Sequence, residues 1–277
     1  MRKPDALKKI VIEPTKGWAC LKLYELWQYR ELFYFLALRD IKVRYKQTFL
    51  GVSWALINPL MQMFVWAFVF GVIAKFPSSG VPYVLITLSG TIAWSYFSEI
   101  VNGAGNAMLT NTNLISKIYF PRLIVPLSVV LRALLDFVIA AILLILMMFY
   151  LRVPLSLPII FLPIFIVLIT LVSSGVGLWA AAISVRFRDV GKILPYFIQI
   201  LFFLTPVAYL KSAIPQKYLW LYYLNPVTGA IDGLRWAFLG IPFSWNWLVL
   251  QALISVIIFI SGLFYFKRLE RTFADII

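Results

Sequence analysis

Histidine is absent from this chain, and cysteine occurs once, at Cys20. Without histidine there is no imidazole to act as a general base, bind a metal or titrate near neutral pH. A single thiol excludes an intrachain disulfide and a cysteine-rich metal site. Acidic residues are also scarce: 11 Asp and Glu stand against 25 Lys and Arg, a net charge of +14. No acidic cluster and no Ser/His/Asp set can be assembled, so no catalytic residue and no metal ligand is assigned. The G-x-x-x-x-G-K-[ST] loop is missing, so the chain does not cradle a nucleoside triphosphate in that way. The N-terminus lacks a short apolar core with a cleavage site, and no removable signal peptide is expected. Charged residues make up 13% of the chain, about half the ~25% usual in soluble domains.

Apolar surface takes the place of charge. The 277 residues are 62% apolar and their mean hydropathy is +0.92. A soluble domain is nearer half apolar, so the excess has to face lipid. The basic residues flank apolar runs. Their excess therefore reads as a topology signal and an attraction to anionic headgroups rather than as nucleic-acid binding. Roughly 20 apolar residues cross a bilayer. By that measure the sequence predicts an all-α integral membrane protein with six transmembrane helices, near Val52–Ala74, Tyr83–Ala104, Leu123–Leu151, Ile159–Val185, Ile193–Leu210 and Trp247–Phe266.

Ahead of the spans, residues 1–25 form a polar cytoplasmic segment interrupted by Pro4, Pro14 and Gly17. Residues 26–50 carry a helical stripe of Tyr34, Leu38, Ile41, Tyr45 and Phe49, with Arg39, Lys42 and Lys46 beside it. An apolar stripe flanked by cations predicts an amphipathic helix lying in the membrane interface. Gly51 is the joint between this helix and the transmembrane domain, residues 51–270. Residues 211–246 hold two apolar pieces, Tyr218–Leu224 and Thr228–Leu239, parted by Asn225 and Pro226. Each is too short to cross, which predicts a re-entrant helical hairpin before the last span. Residues 271–277 form a cytoplasmic tail. Nineteen Lys and Arg fall on one side of the spans and five on the other. The positive-inside rule then puts both termini in the cytoplasm.

Few residues inside the spans carry chemistry. Glu99 lies near the far end of the second. Arg132 and Asp136 stand four apart in the third, on one helix face, where they can pair. Charges inside a span are costly and face a protein interior or a wet cavity. A structural pair and a pore-lining pair are equally consistent with that placement. Asp232 and Arg235 share a face of the re-entrant stretch, and Gly229 with Gly233 makes a G-x-x-x-G that permits close helix approach. The loops 106–122 and 186–192 are short and suited to passing on a partner's motion. Such a protein is a conduit, a receptor or an anchor, and active transport would need another subunit for energy.

At this point the chain resembles a known family. RDIKVRYKQTFLGVSWALINPLMQMFVWAFVFG is similar to the start of the membrane subunits of ATP-binding-cassette polysaccharide exporters, of the O-antigen, capsule or teichoic-acid type. YFPRLIVPLSVVLRALLDF, SVRFRDVGKILPYFIQILFFLTPVAY and YLNPVTGAIDGLRWAFLG resemble later parts of the same subunits, in order, over about residues 26–270. The O-antigen export permease is the member type it most resembles. The resemblance implies a multi-pass permease of the cytoplasmic (inner) membrane, working as a homodimer with two copies of an ATPase subunit that binds ATP and Mg²⁺. Its cargo would be a polysaccharide on a polyprenyl diphosphate lipid, exported for lipopolysaccharide biosynthesis in the O-antigen case. Residues 26–50 would be a gate helix, with Arg39, Lys42, Arg44 and Lys46 meeting the diphosphate. The loop Asn111–Phe120 would couple to the ATPase through Asn113, Ile115, Lys117, Tyr119 and Phe120. Trp66, Tyr96, Phe97, Tyr196 and Phe197, with Arg132 and Asp136, would line the channel. Asn225, Pro226, Asp232 and Arg235 would shape the re-entrant segment. The alternatives are an exporter of drugs, lipids or haem on the same scaffold, a passive channel or membrane anchor, and an integral glycosyltransferase. The last is disfavoured by the lack of an acidic pair for a metal and a sugar nucleotide.

Overall fold

The computed structural model describes residues 23–46, 53–270 and 273. The N-terminal segment up to residue 22, expected to be cytoplasmic, Phe49, Gly51 and almost all of the C-terminal tail lie outside the described residues. Among the described residues every regular element is a helix. In chain order they are α1 (Leu23–Gln28), α2 (Arg30–Lys46), α3 (Ser53–Ile73), α4 (Tyr83–Thr110), α5 (Thr112–Lys117), α6 (Ile124–Tyr150), α7 (Leu162–Arg186), α8 (Val190–Leu204), α9 (Leu219–Leu224), α10 (Pro226–Leu239) and α11 (Leu248–Leu269). The last seven residues of α3 take the wider π-helical winding.

Five of these are long and apolar enough to cross a membrane: α3, α4, α6, α7 and α11. They match five of the six expected spans. The sixth, expected at Ile193–Leu210, is helical only to Leu204. Fifteen residues rise about 22 Å, short of a hydrocarbon core of about 30 Å. The cause is Pro206, whose ring disfavours helical backbone at the residue before it. Thr205 is indeed extended, with φ −110° and ψ 140°.

α4 is the hub. Most of its length is buried, and α3, α6, α7, α8 and α10 all pack on it. Small residues bring α7 and α11 together: a Cβ on Gly262 would lie 2.3 Å from the Gly175 carbonyl oxygen. α10 is enclosed by α4, α7 and α11. Both glycines of the G-x-x-x-G face close neighbours there, Gly229 against Gln251 and Gly233 against Phe165. Asn225 caps α10 by accepting a hydrogen bond from the Val227 amide at 3.1 Å, and Pro226 occupies the first turn.

α2 packs on α6, and Tyr45 of the expected stripe reaches α6 through its hydrogen bond to Asp136. Leu36 and Ala37 are buried, while Tyr34 of the expected stripe is 60% exposed. Residues Leu32 to Leu38 are all apolar, so periodicity alone does not single out one face. Leu36 joins Met108, Ile115, Phe120, Leu123 and Phe266 in a second core, apart from the main one around α4.

Gly90 of α4 is a tight point of this packing. A Cβ there would lie 1.9 Å from the Val207 carbonyl oxygen and 2.6 Å from the Arg235 guanidinium. Gly90→Ala should therefore destabilise the protein by about 1–3 kcal/mol, the usual cost of overpacking. Thermal unfolding in detergent checks this, and an unchanged melting temperature would contradict the packing.

Candidate functional site

The charged groups within the helices meet where α2, α4 and α6 come together. Glu99 of α4 accepts from two guanidiniums, Arg44 of α2 and Arg132 of α6, each at 2.6 Å. Arg44 also lies 3.2 Å from Asp136 of α6. The Tyr45 hydroxyl donates to the other oxygen of Asp136. Two cations and two carboxylates cancel, which is how such a set is tolerated between apolar helices. Burial works against the charge on Arg44, but Glu99 and Asp136 outweigh it and hold its pKa above the ordinary value. Burial, then the hydrogen bond to Asp136, push the Tyr45 phenol well above its ordinary value.

The expected pairing of Arg132 with Asp136 is therefore corrected. They share a face of α6, but among the described residues no ion pair joins them. Each meets an opposite charge from another helix instead. Glu99, which sequence reading noted only by position, is the centre of the set.

The basic group on α2 divides in two. Arg39 is held by Asp40 at 2.7 Å and by the Asn111 side-chain oxygen at 2.7 Å. Arg44 is held as described. Lys42 and Lys46 are exposed, and neither has an ion-pair partner among the described residues. The expected coupling loop divides in the same manner. Ile115 and Phe120 turn inward as anchors, while Asn113, Lys117 and Tyr119 are exposed, together with Ile118. Arg122 ties the loop's end to α11, through its backbone amide to the Glu270 carboxylate at 2.9 Å.

The expected channel aromatics are also in different places. Tyr96 is buried, its hydroxyl 2.7 Å from that of Thr170 and its ring 5.2 Å from Phe137. Phe97 is buried against Trp94. Trp66 packs on Phe202 at 4.8 Å and so ties α3 to α8. Tyr196 and Phe197 are exposed on α8. At the opposite end, Arg235 is fully buried. It donates to the carbonyls of Tyr209 (2.9 Å), Val207 (2.6 Å) and Ile86 (3.2 Å), with Asp232 3.8 Å away. Asp232 in turn accepts from the Tyr222 hydroxyl at 2.7 Å.

Beside the Glu99 cluster is a half-open cleft of about 190 Å³, between α3 on one side and α4 and α6 on the other. Asn58 and Gln62 of α3 line it, one turn apart. Both are exposed, and neither side chain has a hydrogen-bond partner among the described residues. In the sequence they stand within an apolar run. The available signal was two amides at i and i+4 within a span. Among the described residues no group of acidic or thiol side chains is placed to hold a metal ion.

Apolar spans around a buried hub, with the few interior charges cancelled at helix junctions, define a multi-pass membrane protein. The ABC-2 type transporter family matches residues 31–239, and the chain belongs to that family. It is similar to the O-antigen export system permease protein RfbA of Klebsiella pneumoniae, 25% identical over 92% of this chain and 98% of the relative. The protein of the same name from Myxococcus xanthus is 32% identical over 70% of this chain and 74% of its own length. The polysialic acid transport protein KpsM of Escherichia coli is 27% identical over 85% of this chain and 92% of its own.

Glu99 serves two cations, so its loss should be felt on both flanking helices. Glu99→Gln should lower stability by about 1–3 kcal/mol, less than for a fully buried pair because these groups are partly hydrated. It should also loosen α2 from α6, which a spin-label distance between the two helices reads. The Tyr45 shift fixes the sign of any pH effect. A phenol whose pKa is raised on folding contributes fully below the unfolded value of about 10 and loses that contribution only as pH rises through the folded value. The distance should thus be flat from pH 6 to 9, and a step in that window would contradict the assignment.

Proposed function

We propose that this chain is the membrane subunit of a polysaccharide exporter in the cytoplasmic membrane, driven by ATP hydrolysis in a separate subunit. The observation that carries this reading is the end-to-end similarity to an O-antigen export permease, over 92% of this chain and 98% of the relative. In this reading the chain assigns no catalytic residue of its own, and ATP and Mg²⁺ bind to the partner. Two copies of the chain assemble with two ATPase subunits. Both termini are cytoplasmic, in keeping with the 19 to five division of basic residues. α3, α4, α6, α7 and α11 cross the membrane. α8 makes the sixth crossing together with the turn that follows it, residues 205–210. α9 and α10 form the re-entrant hairpin at the outer face, and α2 lies along the inner surface.

The division of residues seen above assigns the parts. Lys42 and Lys46, exposed on α2, meet the lipid diphosphate, for which cationic donors are suited. Ile118 and Tyr119 dock on the ATPase. Ile115 and Phe120 sit behind them in the same core as Leu36 of α2, so motion at the dock reaches the helix that carries the lysines. Asn58 and Gln62 support a wet passage along α3, because an unpaired amide facing lipid costs several kcal/mol.

Deleting the gene should abolish surface polysaccharide, and this chain should restore it. Surface polymer that persists in the deletion strain would contradict the exporter reading. Ile118→Glu with Tyr119→Ala should lower export at least tenfold while the protein still inserts and the ATPase keeps its basal hydrolysis. Lys42→Glu with Lys46→Glu should lower export without changing that hydrolysis. Export unchanged in either pair would remove the corresponding assignment.

A further inference from the structure

We infer that the cleft between α3 and the Glu99 cluster is a binding site for one uncharged sugar ring, distinct from the place where the diphosphate is met. The inference rests on the exporter reading for its substrate class. Its physical basis is the composition of the cleft wall.

Size comes first. One ordered water needs about 10–15 Å³, so about 190 Å³ is far more than hydration requires. Sites for drug-sized ligands run about 300–1,000 Å³. The cleft therefore has room for about one ring.

Charge comes next. Arg44 and Asp136 line the cleft, with Glu99 between Arg44 and Arg132. Each cation there already faces a carboxylate at 2.6 Å. An incoming phosphate would compete with Glu99 and Asp136 for Arg44 and would sit against the charge of both carboxylates. A neutral ligand meets no such opposition, so the cleft selects against anions.

Hydrogen bonding then narrows the class. Asn58 and Gln62 are the unpaired polar side chains of the α3 wall. Each amide offers two donors and a carbonyl acceptor. Two such groups one helical turn apart match the alternating donor and acceptor demands of neighbouring hydroxyls on a ring. The wall also includes the ring of Trp54, which is 45% exposed. Aromatic faces suit the C–H faces of a pyranose. An apolar ligand would leave the amides unsatisfied and an anion would oppose the carboxylates, whereas a neutral polyol satisfies both constraints.

The test uses the chain co-purified with its ATPase, in nanodiscs free of glycolipid. Methyl glycosides of glucose, galactose, mannose and N-acetylglucosamine are the probes, read by saturation-transfer difference NMR. Asn58→Leu with Gln62→Leu removes the amides from an exposed apolar helix and should not impair insertion, which gel filtration checks. At least one glycoside should give a signal that this variant lowers threefold or more, and inorganic pyrophosphate should not compete for it. The inference is overturned if no glycoside gives a signal, if the variant keeps the signal, or if pyrophosphate displaces it. Surface polymer restored normally by the parent chain in any of those cases leaves the exporter reading standing and removes only the cleft assignment.

Discussion

Charge placed between apolar helices has to be cancelled where it stands, and the junction at Glu99 follows from that constraint. Coulomb attraction strengthens as the dielectric falls, and so does the cost of an unpaired ion. One carboxylate on the hub helix α4 receives guanidiniums from α2 and α6, and Asp136 receives the remaining reach of Arg44 together with the Tyr45 hydroxyl. Sliding α2 along α6 would uncover at least one charge at each step. The apolar face of α2 alone imposes no such register, because Leu32 to Leu38 could be packed on several sides. The ion pairs thus act chiefly on position. Their side chains are 18–34% exposed, and partly hydrated pairs add little net stability.

The far end of the molecule meets the same constraint by a different route. α8 stops at Thr205 because Pro206 follows, and this leaves the carbonyls of Val207 and Tyr209 without helical partners. Arg235 supplies the missing donors from the buried helix α10. Its own charge has a single carboxylate at 3.8 Å, so carbonyl dipoles carry most of its compensation. The broken span and the buried arginine explain one another. Gly90 completes the arrangement, since any side chain there would occupy the space of the Val207 carbonyl.

Much of this was legible in the sequence, and the failures have specific causes. The five long spans follow from hydropathy and length, which are local properties. The end of α8 was misplaced because the apolar run continues through Pro206, and hydropathy does not register a missing helix. Arg132 and Asp136 were recognisable as charges on one face of a span. Their partners were not, because the i,i+4 relation speaks only of contacts within one helix. Glu99 and Arg44 lie 55 residues apart in sequence, and only the packing of α2 joins them. Asn58 and Gln62 were missed because they sit among Leu, Met and Phe. Ile115 and Phe120 could not be told from Tyr119 by spacing, since which residues of a short loop turn inward depends on the core beneath.

The neutral junction also bears on how a charged lipid and a long glycan could share one protein. Had Arg44 been free, the cations of α2 would lead inward in a graded row. A diphosphate drawn along such a row would bind more tightly at each step and leave slowly. With Arg39 and Arg44 both held by carboxylates, the row ends at the exposed Lys42 and Lys46. Attraction for phosphate then stays at the surface, within reach of salt screening. Deeper in, the cleft wall offers the amides of Asn58 and Gln62, which under the proposed reading would bind neutral rings weakly enough to release them. Passage through any conduit needs sites favourable for occupation yet shallow enough for departure, and cancelling charge at Glu99 is a direct way for this chain to meet both demands.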